Sequence, residues 1–153
     1  METRDLQGRC ALVTGAGSGI GRETALALGR AGADLVVCDV DPGGLAATAR
    51  DLEQLGRLVL AERVDVSDRD AMHAFADKVH RDRPSVDILV NNAGVGLGGG
   101  FLDTSLEDWD WVVGINFWGV VHGCHFFVPP MVARGRGGHV VNVSSAAGFL
   151  ASA

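Results

Sequence analysis

The run Thr14-Gly15-Ala16-Gly17-Ser18-Gly19-Ile20-Gly21 concentrates the residues of this 153-residue chain that are best placed to do chemistry. It follows an apolar run of strand length and opens a segment of helical period. Its glycines therefore fall where backbone must approach a ligand and where a helix N-terminus offers free N–H groups, which suits a pyrophosphate. A tight turn would use the same residue type. Asp39 closes a second apolar run, eighteen positions beyond Gly21. A carboxylate there can accept both hydroxyls of an adenosine ribose and repel a 2′-phosphate, so NAD is favoured over NADP; equally, it can open a turn toward Asp41. Three further strand ends carry polar residues: Asp65-Val66, Asn91-Asn92-Ala93-Gly94, and Val141 to Gly148 with Ser144-Ser145.

These groups are positioned by apolar runs that alternate with longer segments of helical period, the order of parallel βαβ units. Cys10 to Thr14 reads as the first strand, followed by a helix from about Gly19 to Ala31 that stops at Gly32. Leu35 to Asp39 is the second strand. Asp41-Pro42 has the chemistry of a cap and a first-turn proline, and opens a helix that stops near Gly56. Leu58 to Val66 gives a third strand, Ser67 or Asp68 caps a helix ended by Pro84, and Val86 to Asn91 gives the fourth strand. Gly94 to Gly100 is too poor in side chains to pack and reads as a mobile loop. A short helix around Leu106 to Val113 leads into a long apolar one, kinked or ended by Pro129-Pro130, and His139 to Val143 makes a fifth strand. The reading is one α/β domain over residues 1–153, a Rossmann-like doubly wound parallel sheet with about five strands.

Composition excludes several other classes. The net charge is −6 and no Lys/Arg cluster is present, so a nucleic-acid partner is not expected. Cys10, Cys38 and Cys124 are far apart and odd in number, which reads as reduced core thiols rather than a disulfide framework. The N-terminal residues carry acidic side chains and no apolar core of a secretory signal, so a cytoplasmic location is expected. Trp111 to Ala133 lacks Asp, Glu, Lys and Arg and is long enough to span a bilayer. Its Asn116, His122, His125, three glycines and two prolines favour a buried helix, and no membrane partner is expected. His122 and His125 have no further ligand nearby, so no metal site is expected. Trp109, Trp111, Trp118, Phe117, Phe126 and Phe127 suit a core or a subunit interface better than base stacking.

The spacing of Gly15, Gly19 and Gly21, T-G-x-x-x-G-x-G, resembles the short-chain dehydrogenase/reductase family, and four later stretches match that family in order. The resemblance implies that Gly15, Ser18, Gly19, Ile20 and Gly21 cradle the cofactor and Asp39 holds its ribose. Ser18 and Val40 stand where NADP enzymes of the family usually carry a basic residue. By the same resemblance Asp65 and Val66 contact the adenine, while Asn91, Ala93 and Gly94 lie along the cofactor and Asn92 ties the central strands. The resemblance further implies that Asn116, which opens the long helix, helps through its backbone to hold a water in a proton relay, and that Ser145 is the catalytic serine, with Ser144 as the alternative.

The resemblance also implies a tyrosine about thirteen positions after that serine and a lysine four further on. The chain contains no tyrosine, and its one lysine is Lys78. It therefore reads as the N-terminal part of a longer enzyme, truncated after the serine-bearing strand, with the C-terminal strands missing and the fifth strand an unprotected edge. Two functions follow. One is an NAD-dependent oxidoreductase acting on a secondary alcohol or ketone, a homo-oligomer in its full-length form, with these residues inactive alone. The other is a noncatalytic NAD-binding module or remnant.

Overall fold

The computed structural model describes residues 5–148. Five strands, β1 Cys10–Thr14, β2 Asp34–Asp39, β3 Val59–Arg63, β4 Ile88–Asn91 and β5 His139–Asn142, form one sheet in the order β3-β2-β1-β4-β5. Every pairing is parallel. The helices are α1 Gly19–Arg30, α2 Pro42–Gln54, α3 Arg69–Asp82, α4 Leu106–Val113 and α5 Gly119–Arg134.

Side chains in β1 alternate between two cores. Ala11 and Val13 pack with Ala25 and Leu26 of α1 and Leu45 and Leu52 of α2. Cys10 and Leu12 pack with Met72, Phe75 and Val79 of α3 and Phe127 and Met131 of α5. Because both faces are covered, β1 is buried throughout and its sequence is apolar at every position up to Thr14. Leu12, Leu35 and Leu89 are fully enclosed. Truncating any one of them to alanine would cost about 2–5 kcal/mol. Burial also pushes the Cys10 thiol up to about 11 and the Cys38 thiol up to about 12, so both stay protonated at neutral pH. Cys124 is only half-buried, unlike the core thiol expected.

Helix starts follow from local chemistry. Asp41 accepts from the N–H groups of Gly43 and Gly44 ahead of Pro42. Asp68, the second of the two candidate caps, accepts from Asp70 and Ala71. Ser105 and Asp108 cap each other's backbone at α4. Strand β3 stops at Arg63, three residues before the expected end. The cause is Asp65, whose side chain turns back onto the Ser67 N–H and hydroxyl at 2.9 and 2.7 Å and starts the turn into α3.

The long apolar segment departs from expectation in two ways. A π-helical turn, Gly114–Trp118, joins α4 to α5, and the helix continues through Pro129 and Pro130 to Arg134, where Gly135 at φ +69° ends it. Proline removes the N–H that would bond the carbonyl four residues back. For Pro130 that carbonyl is Phe126, and it lies 3.3 Å from His80 Nε2 instead. The helix is also not the buried one expected. Leu106–Arg134 is long and apolar enough to cross a membrane by length and composition, yet only 17% of its most apolar window is buried. One face, with Gly119, His122, Gly123, Phe127 and Met131, packs inward. Among the described residues no element lies beyond β5 to cover the rest.

At the sheet's N-terminal edge Asp87 joins four elements. Its carboxylate accepts from the Cys10 N–H at 2.9 Å, from Arg9 at 3.0 Å and from Arg134 at 2.7 Å, and its carbonyl accepts from the His139 N–H at 3.0 Å. Desolvation pushes its pKa up, but the Cys10 N–H and the two guanidinium groups outweigh it and hold the carboxyl below 3.8. A carboxylate depressed in the folded state stabilises fully above its unfolded value and loses that contribution as pH falls through the folded value. Asp87→Asn should therefore destabilise the fold by about 1–3 kcal/mol at neutral pH. The difference should close in strong acid, which denaturant unfolding of both proteins at the two pH values measures.

Candidate cofactor site

Strand β1 sits between β2 and β4, so the chain crosses to the other face of the sheet on one side of it. Such a reversal leaves a crevice at the strands' C-terminal ends. Here it is a cleft of about 790 Å³ between the glycine run, the ends of β2 and β3, and the segment after β4.

The floor is a set of cross-strand hydrogen bonds. Thr14 Oγ1 accepts from the N–H groups of Asn92 and Ala93, each at 3.0 Å. The Asn92 side-chain amide donates to the carbonyls of Thr14 and Gly15 at 3.0 and 3.2 Å. Asn92 therefore ties the central strands. The glycine run is pinned from the other side by the Ala16 N–H on the Cys38 carbonyl and by the buried Thr48 hydroxyl on the Ala16 carbonyl. Gly15 has φ +66°, and a Cβ on Gly21 would stand 2.0 Å from the Gly15 carbonyl oxygen, so α1 starts hard against the turn.

Helix α1 differs from α2, α3 and α4 in having no side-chain cap at its N-terminus, and like α2 it carries no acidic residue in its first turn. Gly19, at φ +49°, has open space where a side chain would project. A cradle of this kind matches a pyrophosphate: the N–H groups are unclaimed by side chains and the macrodipole favours an anion. Asp39 stands at the cleft edge and also serves the turn toward Asp41. Its two oxygens accept from the Gly17 N–H at 2.7 Å and the Asp41 N–H at 2.9 Å. Those bonds orient the carboxylate and leave acceptor capacity on both oxygens.

Gly15, Ser18, Gly19, Ile20, Gly21, Asp39, Asp65, Val66, Ala93 and Gly94 all border this one cleft. Val66 is held there from behind, because its carbonyl lies 2.9 Å from His122 Nδ1 and its side chain fills the space left by Gly119. That contact accounts for the buried His122.

Asn91 is placed differently. Its buried side chain turns toward β5 and donates to Asn142 Oδ1 at 2.9 Å and Cys124 Sγ at 3.4 Å. Asn116 grips the loop after β4: its Oδ1 accepts from the Val95 N–H at 2.8 Å and its Nδ2 donates to the Val95 carbonyl at 2.9 Å. Ile115 beside it borders the cleft, as does Val143, two residues before Ser145. Ser145 lies in the exposed segment after β5, where its carbonyl accepts from the Gly148 N–H.

Sequence reasoning passed over Arg63, Val64, Val95, Trp111, Ile115 and Val143 as cleft residues. Trp111 was grouped with core or interface aromatics; its spacing of four from Ile115 is the signal that puts both on one helix face. Arg63 could be found only from strand pairing, which sets it beside Asp39.

A parallel sheet with an uncapped, glycine-opened helix and a carboxylate at the end of the second strand defines a dinucleotide-binding α/β domain. The short chain dehydrogenase family pattern matches residues 9–153, and the chain belongs to that family. It is 50% identical over 137 residues to "Probable oxidoreductase EphD" of Mycobacterium tuberculosis, across 90% of this chain and 23% of that protein. A short chain dehydrogenase/reductase from Burkholderia phymatum, solved with NAD, is 42% identical with TM-score 0.90 over 97% of this chain and 53% of its own. A metagenomic short-chain oxidoreductase solved with NADP is 37% identical with TM-score 0.91, over 97% of this chain and 67% of its own. The chain thus spans about a quarter of EphD and between half and two thirds of these solved relatives.

Asn92→Ala removes two bonds from carbonyls at the floor of the cleft. It should cost about 1–3 kcal/mol in denaturant unfolding and speed amide exchange in the Gly15 to Gly19 turn. Unchanged stability and protection would show that Thr14 Oγ1 alone holds the junction.

Proposed function

We propose that this chain binds NAD in preference to NADP, as the cofactor half of an oxidoreductase that moves hydride between the nicotinamide and a secondary alcohol or ketone. The observation that carries the reading is that an uncapped α1 N-terminus and Asp39 open into the same cleft. In it the Gly15 to Gly21 run takes the pyrophosphate, with Ser18 and Ile20 beside it, and Asp39 takes the ribose hydroxyls. Asp65 and Val66 meet the adenine, and Ala93 and Gly94 run along the cofactor. Asn91 acts from behind, through its bond to Asn142 on β5. The structures of relatives with NAD and with NADP support a nicotinamide dinucleotide; the preference for NAD rests on Asp39 and on the uncharged Ser18 and Val40.

When bound, the nicotinamide supplies the hydride acceptor or donor. Ser145, with Ser144 as the alternative, offers a hydroxyl to polarise the substrate carbonyl. Asn116 acts as a positioning residue that fixes Val95 and, by resemblance, a relay water. The residues here do not complete the proton transfer. No tyrosine is present, and Lys78 pairs with Glu62 on the β3 side of the sheet. Loss of a general acid/base costs about 10²–10⁴-fold, so this chain alone is inactive or nearly so. That favours, for these residues alone, the second reading of a noncatalytic NAD-binding module. The exposed Trp109, Phe117 and Trp118 on the α4 and α5 side support assembly of the full-length form as a homo-oligomer. The location is cytoplasmic, and neither nucleic acid nor membrane is a partner.

Calorimetric titration of the folded chain with NAD and NADP tests the proposal. Saturable binding that is tighter for NAD is expected, and Asp39→Ala should weaken NAD by about tenfold and narrow its lead over NADP. Gly19→Val should abolish binding of both, since it forces a branched side chain into the left-handed region at the cradle. No binding by a folded wild-type chain would overturn the assignment.

A further inference from the structure

Arg63 ends β3 at the adenosine side of the cleft, in register with Asp39 on β2. Neighbouring strands run about 5 Å apart, and paired residues in a parallel sheet face the same way, so a guanidinium and a carboxylate stand side by side at the end of the sheet. They do not neutralise each other. Asp39 is held by the Gly17 and Asp41 N–H groups, while Arg63 Nε donates to the Val40 carbonyl at 3.1 Å. Among the described residues no carboxylate lies within 4.0 Å of the Arg63 guanidinium nitrogens, whereas Arg9, Arg22 and Arg134 are each paired.

The bond from Nε fixes the plane of the guanidinium against the backbone just after Asp39 and leaves its terminal N–H groups on an exposed rim. A cation held this way has the fork geometry that matches a phosphate. Resting on the proposed binding of the dinucleotide, we infer that Arg63 is a specificity-determining residue that recognises the 2′-phosphate of NADP and so limits the preference for NAD set by Asp39. The carboxylate repels the phosphate dianion and accepts ribose hydroxyls; the guanidinium beside it attracts the same dianion and has no comparable group to meet on NAD. The ratio of the two affinities is set by this pair, and the cleft admits both cofactors.

Calorimetric titration of NAD and NADP into the wild-type chain, Arg63→Ala and Arg63→Lys tests the inference. Arg63→Ala should lower NADP affinity about tenfold, the scale of one hydrogen-bonded charge contact, and change NAD by less than about twofold. Arg63→Lys, which keeps the charge, should retain most of the NADP affinity. Salt should weaken NADP binding to the wild-type chain more steeply than to Arg63→Ala. Equal losses for NAD and NADP would overturn the inference in favour of stacking on the base, as would no change in either. Wild-type binding of NAD reports separately on the function proposed above. If it is present and the ratio does not move, only the role of Arg63 falls; if it is absent, both fall together.

Discussion

Everything in the cleft depends on how β1 and β4 are held together at their C-terminal ends. The sheet reverses direction of growth at β1, and a reversal opens a gap that only side chains or a ligand can bridge. Thr14 and Asn92 bridge it with four hydrogen bonds between a strand end, a turn and the segment after β4. Each bond satisfies a backbone group that the ladder can no longer reach, so the junction is fixed without closing the crevice. The glycine run then inherits its position from the junction on one side and from Asp39 and Thr48 on the other.

The second half of the described chain serves the same cleft from a distance. The π-helical turn between α4 and α5 places Ile115 in the cleft wall and lets Asn116 grip Val95. Gly119 and Gly123 let α5 approach Val66 and Asn91 closely enough for His122 to hold the Val66 carbonyl. The opposite face of this helix has no neighbour among the described residues, and β5 lies at the open edge of the sheet with every residue exposed. The cofactor cleft is thus built from well-packed elements, while among the described residues nothing covers the side beyond β5.

Much of this was legible in the sequence because the signals are local. Period, caps and glycine punctuation fixed five strands and the starts of the helices to within a few residues, since Asp41-Pro42 and Asp68 act on their own backbone. Ten of the proposed cofactor residues meet in one cleft because each terminates a strand or opens a helix at the same edge. What was not legible depends on partners distant in sequence. The helix passes Pro130 because His80, 46 residues away from Phe126 in sequence, lies against the freed carbonyl. Asn91 turns from the cleft because Asn142 on β5 receives its amide. Arg63 comes beside Asp39 only through strand register, and Asp65 shortens β3 through a turn that periodicity does not report.

The central claim is that the crevice at β1 is a dinucleotide site whose phosphate cradle is the start of α1. The most direct test is a two-dimensional amide NMR titration of the isotope-labelled chain with NAD. The account predicts dose-dependent shifts at Gly17, Gly19, Ile20 and Gly21 and at Asp65, Val66 and Ala93, with the exposed α5 residue Val132 and the β5 residue Val140 unmoved. Shifts confined to the α4 and α5 face, or none in a folded chain at saturating NAD, would contradict it.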